Sequence, residues 1–223
     1  MIHSLLERMI SALPDGNRTF FDTASFPWVS QVETGWREIR AELDALLLHR
    51  ERIPNFQDIS EEQKLLTQGN DWKTFFLYGY GHQVEKNLAR CPKTARLLRL
   101  IPDMKTAMFS ILAPGKHIPA HRGPYKGVLR YHLGLLVPEP ETSCRIRVGD
   151  DIRIWQEGKS LIFDDSHEHE AWNDSDSHRV VLFVDFVRRL PPPLSLANRI
   201  QIWRISRSPF ILEAAERLEK YAE

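Results

Sequence analysis

Long hydrophobic runs, cysteines and an excess of either charge are scarce in this sequence of 223 residues. No apolar stretch approaches the roughly 20 residues that a membrane-spanning helix needs. The 30 basic and 30 acidic side chains balance, so the overall charge favours neither nucleic acid nor a membrane surface as partner. Cys91 and Cys144 are too few for a disulfide framework. The N-terminus carries charges where a signal peptide needs an apolar run. We expect a cytoplasmic protein without a transmembrane segment, although contact with a membrane surface stays possible.

Both ends of the chain have the three- and four-residue apolar spacing of amphipathic helices. Thr34 is the predicted cap of the second helix, and Pro92 is a predicted kink or restart within the third. The predicted helices cover about residues 5–13, 34–53, 83–100 and two segments beyond 195. The intervening residues are predicted as an irregular or edge segment at 20–28, a surface loop at 53–70 with one turn at 61–66, and a strand ending at Tyr78.

After Pro102 the helical spacing stops, and short apolar runs recur about every ten residues between turn signals. This spacing is typical of a β-sandwich or barrel. The predicted strands are 105–112, 116–122, 128–137, 144–148, 152–155, 159–163 and 179–187. The sequence therefore predicts a single, mainly β domain, with a helical annex at about 1–100, a double-sheet core at about 101–190 and C-terminal helices at about 195–223.

Two of the predicted strands carry polar side chains that a conventional core does not need. In the third strand the odd positions are apolar, whereas the even positions include Arg130 and His132. The last strand is apolar on both faces but begins with Arg179. A buried arginine needs an anion, because an unpaired buried charge is costly. That anion is either a protein carboxylate such as Asp185 or a bound carboxylate or phosphate held by two hydrogen bonds.

The histidines permit a metal site but do not establish one. His117 and His121 are four residues apart, as two ligands on one helix face would be, but the proline between them argues against a helix. His167 and His169 would share one face of a strand, and spacing alone does not choose between them. The two aspartates that precede them, at positions 164 and 165, either add a ligand or cap a turn.

Several motifs stand in the order and at the separations found in the aspartyl/asparaginyl β-hydroxylase family. They occupy residues 110–115, 121–125, 129–135, 155–159 and 163–173, and Arg179 follows them. The sequence resembles that family over about residues 105–190. The resemblance implies a double-stranded β-helix, the jelly-roll or cupin-like fold. It also implies an oxygenase, a 2-oxoglutarate-dependent dioxygenase that uses Fe(II) and O2.

The resemblance also implies how iron would be held. His121 matches the first iron ligand and His169 the second. Iron oxygenases of this kind usually add a carboxylate, which normally lies two residues after the first histidine. Here that position is Gly123, which cannot bind a metal. Some members of the family hold iron with two histidines only, and Gly123 fits that group.

For the co-substrate, the resemblance implies four further residues. Arg179 matches the arginine that pairs with the distal carboxylate of 2-oxoglutarate, and Ser110 assists it. Arg130 and His132 match residues near the other carboxylate. The dianion would then account for the cationic strand face and the arginine that begins a buried strand.

The family implies hydroxylation of an unactivated C–H bond, first of all the β-carbon of an aspartyl or asparaginyl residue or amino-acid derivative. Bacterial relatives instead hydroxylate the 2-position of acyl chains in lipid A or ornithine lipids. The lack of a membrane helix favours the amino-acid or peptide substrate. The apolar segment around Trp203 keeps the lipid alternative open, unless it is a helix packed on the barrel. A non-catalytic jelly-roll binding module is a third hypothesis, against which the retained histidines and arginines argue.

Overall fold

The computed structural model describes residues 2–60, 64–67 and 69–221. Strands make up its centre, and helices cover it at both ends of the chain. The strands are β1 (Phe20–Phe21), β2 (Trp72–Gly79), β3 (His82–Gln83), β4 (Met104–Leu112), β5 (His117–His121), β6 (Val128–Leu136), β7 (Cys144–Val148), β8 (Asp151–Ile154), β9 (Ser160–Phe163), β10 (His169–Asn173) and β11 (Arg179–Val187). The helices are α1 (Ile2–Ser11), α2 (Trp28–Thr34), α3 (Trp36–Leu47), α4 (Phe56–Ile59), α5 (Glu85–Arg90), α6 (Pro92–Leu98), α7 (Leu194–Ile205) and α8 (Pro209–Tyr221).

The strands form two antiparallel sheets. The major sheet has the order β1-β9-β6-β11-β4-β2-β3, and the minor sheet has the order β5-β10-β7-β8. From β4 to β11 the chain passes back and forth between the two sheets, with only β7 and β8 joined as neighbours in one sheet. This alternation makes the core a double-stranded β-helix, the predicted jelly roll.

The two faces of the major sheet bury different sets of side chains. On β6, Leu129, Tyr131 and Leu133 belong to the core that also contains residues of α2, α3 and α6. Burial of each large side chain of this kind contributes roughly 1.5–3 kcal/mol. The opposite face of the sheet contributes Met108 and Phe183 to the core between the two sheets. Arg130 and His132, which alternate with the first set, therefore face the interior of the jelly roll.

The predicted strands of the core are all present, with ends within two residues of the predicted ones. Strand β10 was not among those predicted, because its sequence, from His169 to Asn173, is polar at three of its five positions and lacks an apolar run. The annex is less helical than predicted. Its strand β2 pairs with β4, and Phe20–Phe21 pairs with β9 as an edge strand, which agrees with the predicted edge segment.

Two predictions for the annex are wrong. Thr34 does not cap a helix: it is the last residue of α2, and its hydroxyl donates to the Ser30 carbonyl, while Gly35 precedes α3. The loop at 53–70 contains a short helix, α4, whose apolar residues Phe56 and Ile59 are buried. The predicted turn at 61–66 lies partly outside the described residues. The predicted restart at Pro92 is confirmed, since α6 begins there.

Candidate active site

Two histidine rings meet where β5 and β10 pair in the minor sheet. His121 lies opposite His169 in the antiparallel register, and their ring centroids are 4.1 Å apart. The register shifts between His169 and Ala171, so the strand is irregular next to the second histidine. Directly opposite side chains on paired strands lie close together. Hydrogen bonding between the backbones of the two strands therefore brings the two imidazoles next to each other.

Both imidazoles have the hydrogen bonding and the lowered pKa that suit a metal ligand. Nδ1 of His121 lies 2.8 Å from the Pro119 carbonyl, and Nδ1 of His169 lies 2.9 Å from the His167 carbonyl. A proton on Nδ1 donates to the carbonyl and leaves the lone pair on Nε2, the usual arrangement of a histidine ligand. Burial lowers the pKa of His121, and burial with the nearby His121 and Arg130 lowers the pKa of His169 to about 3. The neutral rings fit a soft or borderline divalent metal.

The space beside Gly123 is occupied by another side chain. Gly123 donates its N–H to the Asp165 carbonyl over 2.8 Å. A Cβ on Gly123 would overlap the carboxylate of Asp165. In the described part of the chain, no third histidine, cysteine or acidic group joins the two histidines closely enough to form a three-ligand cluster. The donor set is thus two imidazoles with a carboxylate nearby.

Arg130 lies between two carboxylates. It donates from Nε to Asp185 over 2.9 Å and approaches Asp165 from Nη2 at 2.8 Å, while its guanidinium lies 4.2 Å above the Phe183 ring. Burial raises the pKa of Asp165 to about 7, and the guanidinium of Arg130 acts in the opposite direction. The charge of Arg130 is therefore already compensated by the protein.

Arg179 differs from Arg130 in this respect. Only 2% of the residue is exposed, and its Nε and Nη1 atoms have no hydrogen-bond partner among the described residues. None of the ion pairs found among residues 2–60, 64–67 and 69–221 involves it. Asp185, which we considered as its anion, bonds to Arg130 instead, so that alternative is wrong. Its guanidinium lies 4.3 Å above the Trp155 ring, and burial lowers its pKa to about 10.

Further polar atoms in the same interior are buried without a partner in the part of the chain that the structure describes. Both ring nitrogens of His132 and the indole N–H of Trp155 are among them. The His132 ring lies 5.0 Å from Phe163 and 5.9 Å from Trp155, and burial keeps its pKa well below the ordinary value. The hydroxyl of Ser110 is buried and accepts from the Trp72 indole N–H over 3.0 Å. A polar ligand bound in this interior would satisfy such groups.

Ring contacts connect the histidine pair to Arg179. Phe163 lies 6.3 Å from His169 and 5.0 Å from His132. His132 in turn faces Trp155, over which Arg179 lies. The histidine pair and the buried arginine are therefore joined by one layer of aromatic side chains. Trp155 and Phe163 were assigned no role from the sequence, although both belong to the motifs that carry the family resemblance.

Two other histidines, His117 and His167, and the aspartate beside Asp165 have structural contacts. The ring of His117 stacks 5.0 Å from Trp172, and its Nε2 lies 2.9 Å from Glu170 on the outer face of the minor sheet. Nε2 of His167 lies 3.4 Å from the Lys126 ammonium. Asp164 accepts from the backbone N–H and hydroxyl of Ser166, which makes it the cap of a turn.

Comparison with known proteins gives the family. The model of the family described as aspartyl/asparaginyl beta-hydroxylase matches residues 33–189. The chain is 51% identical to "Ornithine lipid ester-linked acyl 2-hydroxylase" of Rhizobium tropici over 201 residues, 90% of this chain and 72% of that protein. It is 36% identical to human "Aspartyl/asparaginyl beta-hydroxylase" over 71% of this chain, but spans only 22% of that protein.

Solved structures contribute less. One match is the Cnp3 cupin domain of Schizosaccharomyces pombe, with a TM-score of 0.39, 10% identity and coverage of 61% of this chain and 73% of that one. At such a score the likeness carries no argument, and the jelly-roll assignment rests on the strand topology. By the match to the family model and its similarity to the Rhizobium protein, the chain belongs to the aspartyl/asparaginyl β-hydroxylase family.

Proposed function

We propose that this protein is an Fe(II)- and 2-oxoglutarate-dependent hydroxylase that adds a hydroxyl group to the 2-position of an ester-linked acyl chain in an ornithine-type aminolipid. The substrate class follows the Rhizobium relative, whose similarity extends over 90% of this chain. The reaction would convert the C–H bond, O2 and 2-oxoglutarate into the alcohol, succinate and CO2. The relative's substrate replaces the peptide as the first candidate because the human protein is less similar and far longer.

The observation that carries the proposal is the buried Arg179, which has no carboxylate partner among the residues that the structure describes. A cation that is 2% exposed destabilises the fold unless an anion joins it. The guanidinium can hold one carboxylate of a dicarboxylic acid through two parallel hydrogen bonds. We assign that carboxylate to 2-oxoglutarate, with the hydroxyl of Ser110 as a further donor. His132 would lie beside the other end of the co-substrate, toward the histidine pair.

His121 and His169 would hold the iron through their Nε2 atoms. When bound, iron with 2-oxoglutarate supplies the oxidant, which is chemistry that no side chain of the protein can perform. The protein binds the co-substrate, orients the target carbon and excludes water. Phe163, Phe183 and Trp155 provide the apolar walls for this purpose. Arg130 is assigned a positioning role, because it fixes the Asp165 carboxylate next to Gly123.

Hydroxylation of an aspartyl or asparaginyl β-carbon is the second candidate. The 36% identity to the human protein favours it. Both candidates need the same metal and co-substrate, so they differ only in the molecule that gains oxygen. A binding module without catalysis would need neither the metal nor the co-substrate. It would be identified if none of the substrates were turned over.

The test is a turnover assay with a panel of substrates. Purified protein with Fe(II), ascorbate and 2-oxoglutarate is incubated with ornithine lipid in detergent, with an aspartyl peptide, or with free aspartate. We expect succinate to form with the lipid, and mass spectrometry to find one added oxygen atom on the ester-linked acyl chain. Oxygen on the peptide alone would contradict the lipid proposal. If no succinate forms and no visible absorption band appears on anaerobic addition of Fe(II) and 2-oxoglutarate, the oxygenase proposal fails.

A further inference from the structure

Helix α7 exposes a stripe of large apolar side chains. Leu196 is 64% exposed, Ile200 is 51% exposed and Trp203 is 56% exposed. Their spacing of four and three residues places them on one face of the helix. The opposite face is the one that packs, since Leu194 and Asn198 are buried. The helix is thus apolar on both faces, and one of them faces solvent. We call Leu196, Ile200 and Trp203 the docking face.

Arginines border the docking face. Arg199 and Arg204 lie on either side of the stripe around the helix axis, and Arg207 follows in the next turn with its guanidinium 4.1 Å from the Trp203 ring. From residue 189 to residue 212 the sequence contains 4 arginines and no acidic residue, although charges balance in the whole chain. Arg199 bonds to Asp103 over 3.1 Å and is still largely exposed. The border of the docking face is therefore cationic.

The neighbouring helix also exposes apolar side chains. Helix α1 packs against α7, and it buries Leu6 and Ile10 with Leu194. It leaves Leu5 57% exposed and Met9 45% exposed. Two adjacent helices therefore each bury one apolar side in a shared cluster and expose another. Single exposed apolar residues are ordinary on a protein surface, but a continuous stripe marks an interaction site.

We propose that the docking face binds the surface of an anionic lipid bilayer. An exposed tryptophan with aliphatic neighbours fits the boundary between headgroups and acyl chains. Arginines on both sides of the stripe can extend to lipid phosphates while their methylene stems cover apolar surface. A protein partner of neutral or basic charge would not match the cationic border. In the described residues, no helix is long and apolar enough to cross the bilayer, so the proposed contact lies at its surface.

The same helix is connected to the candidate active site. The Tyr125 hydroxyl donates to Asn198 Oδ1 over 2.7 Å, and Asn198 Nδ2 donates to the Gly127 carbonyl over 2.9 Å. Tyr125 and Gly127 follow His121 in the chain and lead to β6. Hydrogen bonds therefore fix α7 to the loop beyond the first proposed metal ligand, so a membrane bound at the docking face would lie at a defined position relative to the site.

The inference does not depend on the proposed reaction, because binding can be measured without iron, co-substrate or substrate lipid. The full-length protein is floated with vesicles of phosphatidylcholine, alone or with about 30 mol% phosphatidylglycerol. We expect flotation with the anionic vesicles and little with the neutral ones. Added salt should weaken it, because the arginine contribution is screened.

Two variants and a control test the surface. In Ile200→Gln/Trp203→Gln and in Arg204→Glu/Arg207→Glu we expect partitioning onto anionic vesicles to fall at least about tenfold. Leu48→Gln, at a residue 77% exposed after α3, should bind as the wild type does. The proposal is overturned if the wild type does not float, if both variants float normally, or if Ile200→Gln/Trp203→Gln only converts a dimer into a monomer. Vesicle binding without succinate formation would leave this inference intact and refute the proposed function.

Discussion

The carboxylate of Asp165 occupies the space in which a side chain on Gly123 would lie. The two residues are 42 positions apart in the sequence, yet the Gly123 N–H also donates to the Asp165 carbonyl. Position 123 itself has no carboxylate, but the carboxylate of Asp165, in the connection between β9 and β10, lies next to it. Close packing requires glycine at position 123, because the Asp165 carboxylate occupies the space into which an aspartate side chain at this position would extend.

Adding a side chain at position 123 should destabilise the protein. In Gly123→Ala the new methyl group displaces the Asp165 carboxylate from Arg130, and we expect the free energy of unfolding to fall by about 1–3 kcal/mol. Urea denaturation of the metal-free protein measures it. In Asp165→Gly/Gly123→Ala the overlap is absent, so the two changes should be less than additive. Strict additivity would show that the two side chains do not compete for one space.

Replacing Arg179 should have opposite effects on the empty and the loaded protein. Arg179→Met removes an unpaired buried cation, so the variant without ligand should unfold at a higher temperature than the wild type. The 2-oxoglutarate affinity of the variant should fall at least about 30-fold, because a buried charge pair is lost. Thermal scans with and without 2-oxoglutarate measure both effects.

The control for Arg179 is an exposed arginine. Arg153→Met on β8 should change neither the unfolding temperature without ligand nor the stabilisation by 2-oxoglutarate. In the wild type, a concentration about 100 times the dissociation constant should stabilise the fold by roughly 2.7 kcal/mol. If Arg179→Met is stabilised by 2-oxoglutarate as strongly as the wild type, the assignment of the distal carboxylate is wrong.

Removing either central histidine should abolish metal binding and turnover. In His121→Ala and His169→Ala one imidazole remains, which is too few for tight binding of Fe(II) in this site. Equilibrium dialysis against Fe(II) under anaerobic conditions measures the loss, and succinate formation measures activity. The matched control is His117→Ala on the same strand, since His117 faces outward and contacts Glu170. Loss of metal in this control as well would contradict the assignment of the ligands.

The cysteines should be unreactive in the native protein. Cys91 is fully buried, and burial raises the pKa of its thiol to about 12. Cys144 is also fully buried, and its pKa is raised too. Because the native state favours the protonated thiol, stability should be constant below the ordinary thiol pKa of about 8.5 and fall as the pH rises above it.

Iodoacetamide labelling at increasing pH checks this expectation. Native protein should remain unlabelled at a pH where urea-unfolded protein reacts at both thiols. Rapid labelling of Cys91 in native protein near neutral pH would mean that the thiol is accessible, contrary to its burial against α3 and α6.

Much of the fold was predictable because β6 and β11 follow simple rules. Alternation on β6 identified the face of Arg130 and His132, and turn residues marked the ends of the strands. Strand β10 was missed because it carries a buried histidine on one face and forms charge pairs on the other, as Glu170 does with Arg147, so it has no apolar run. Thr34 does not cap α3 because it is the last residue of α2, where its hydroxyl donates to the Ser30 carbonyl.

For the candidate site, the face on which the polar side chains lie was predictable, but their partners were not. The cost of burying Arg179 indicated an anion, whereas only the tertiary structure could assign Asp185 to Arg130. From the sequence, Asp165 could be a metal ligand or the cap of a turn. Its contact with Gly123 was not predictable, because the two residues meet only after the sheets have formed. Cross-strand distance is a property of the register, which local patterns do not determine.

The division of the site between the two sheets has a mechanical consequence. The proposed iron ligands belong to the minor sheet, whereas Ser110 and Arg179 belong to the major sheet. On the assignments proposed above, a bound 2-oxoglutarate would reach from one layer to the other and act as a crosslink. Loss of succinate would release that crosslink after each turnover. The two layers would then be held together most firmly while the co-substrate is intact and could separate slightly when the product leaves.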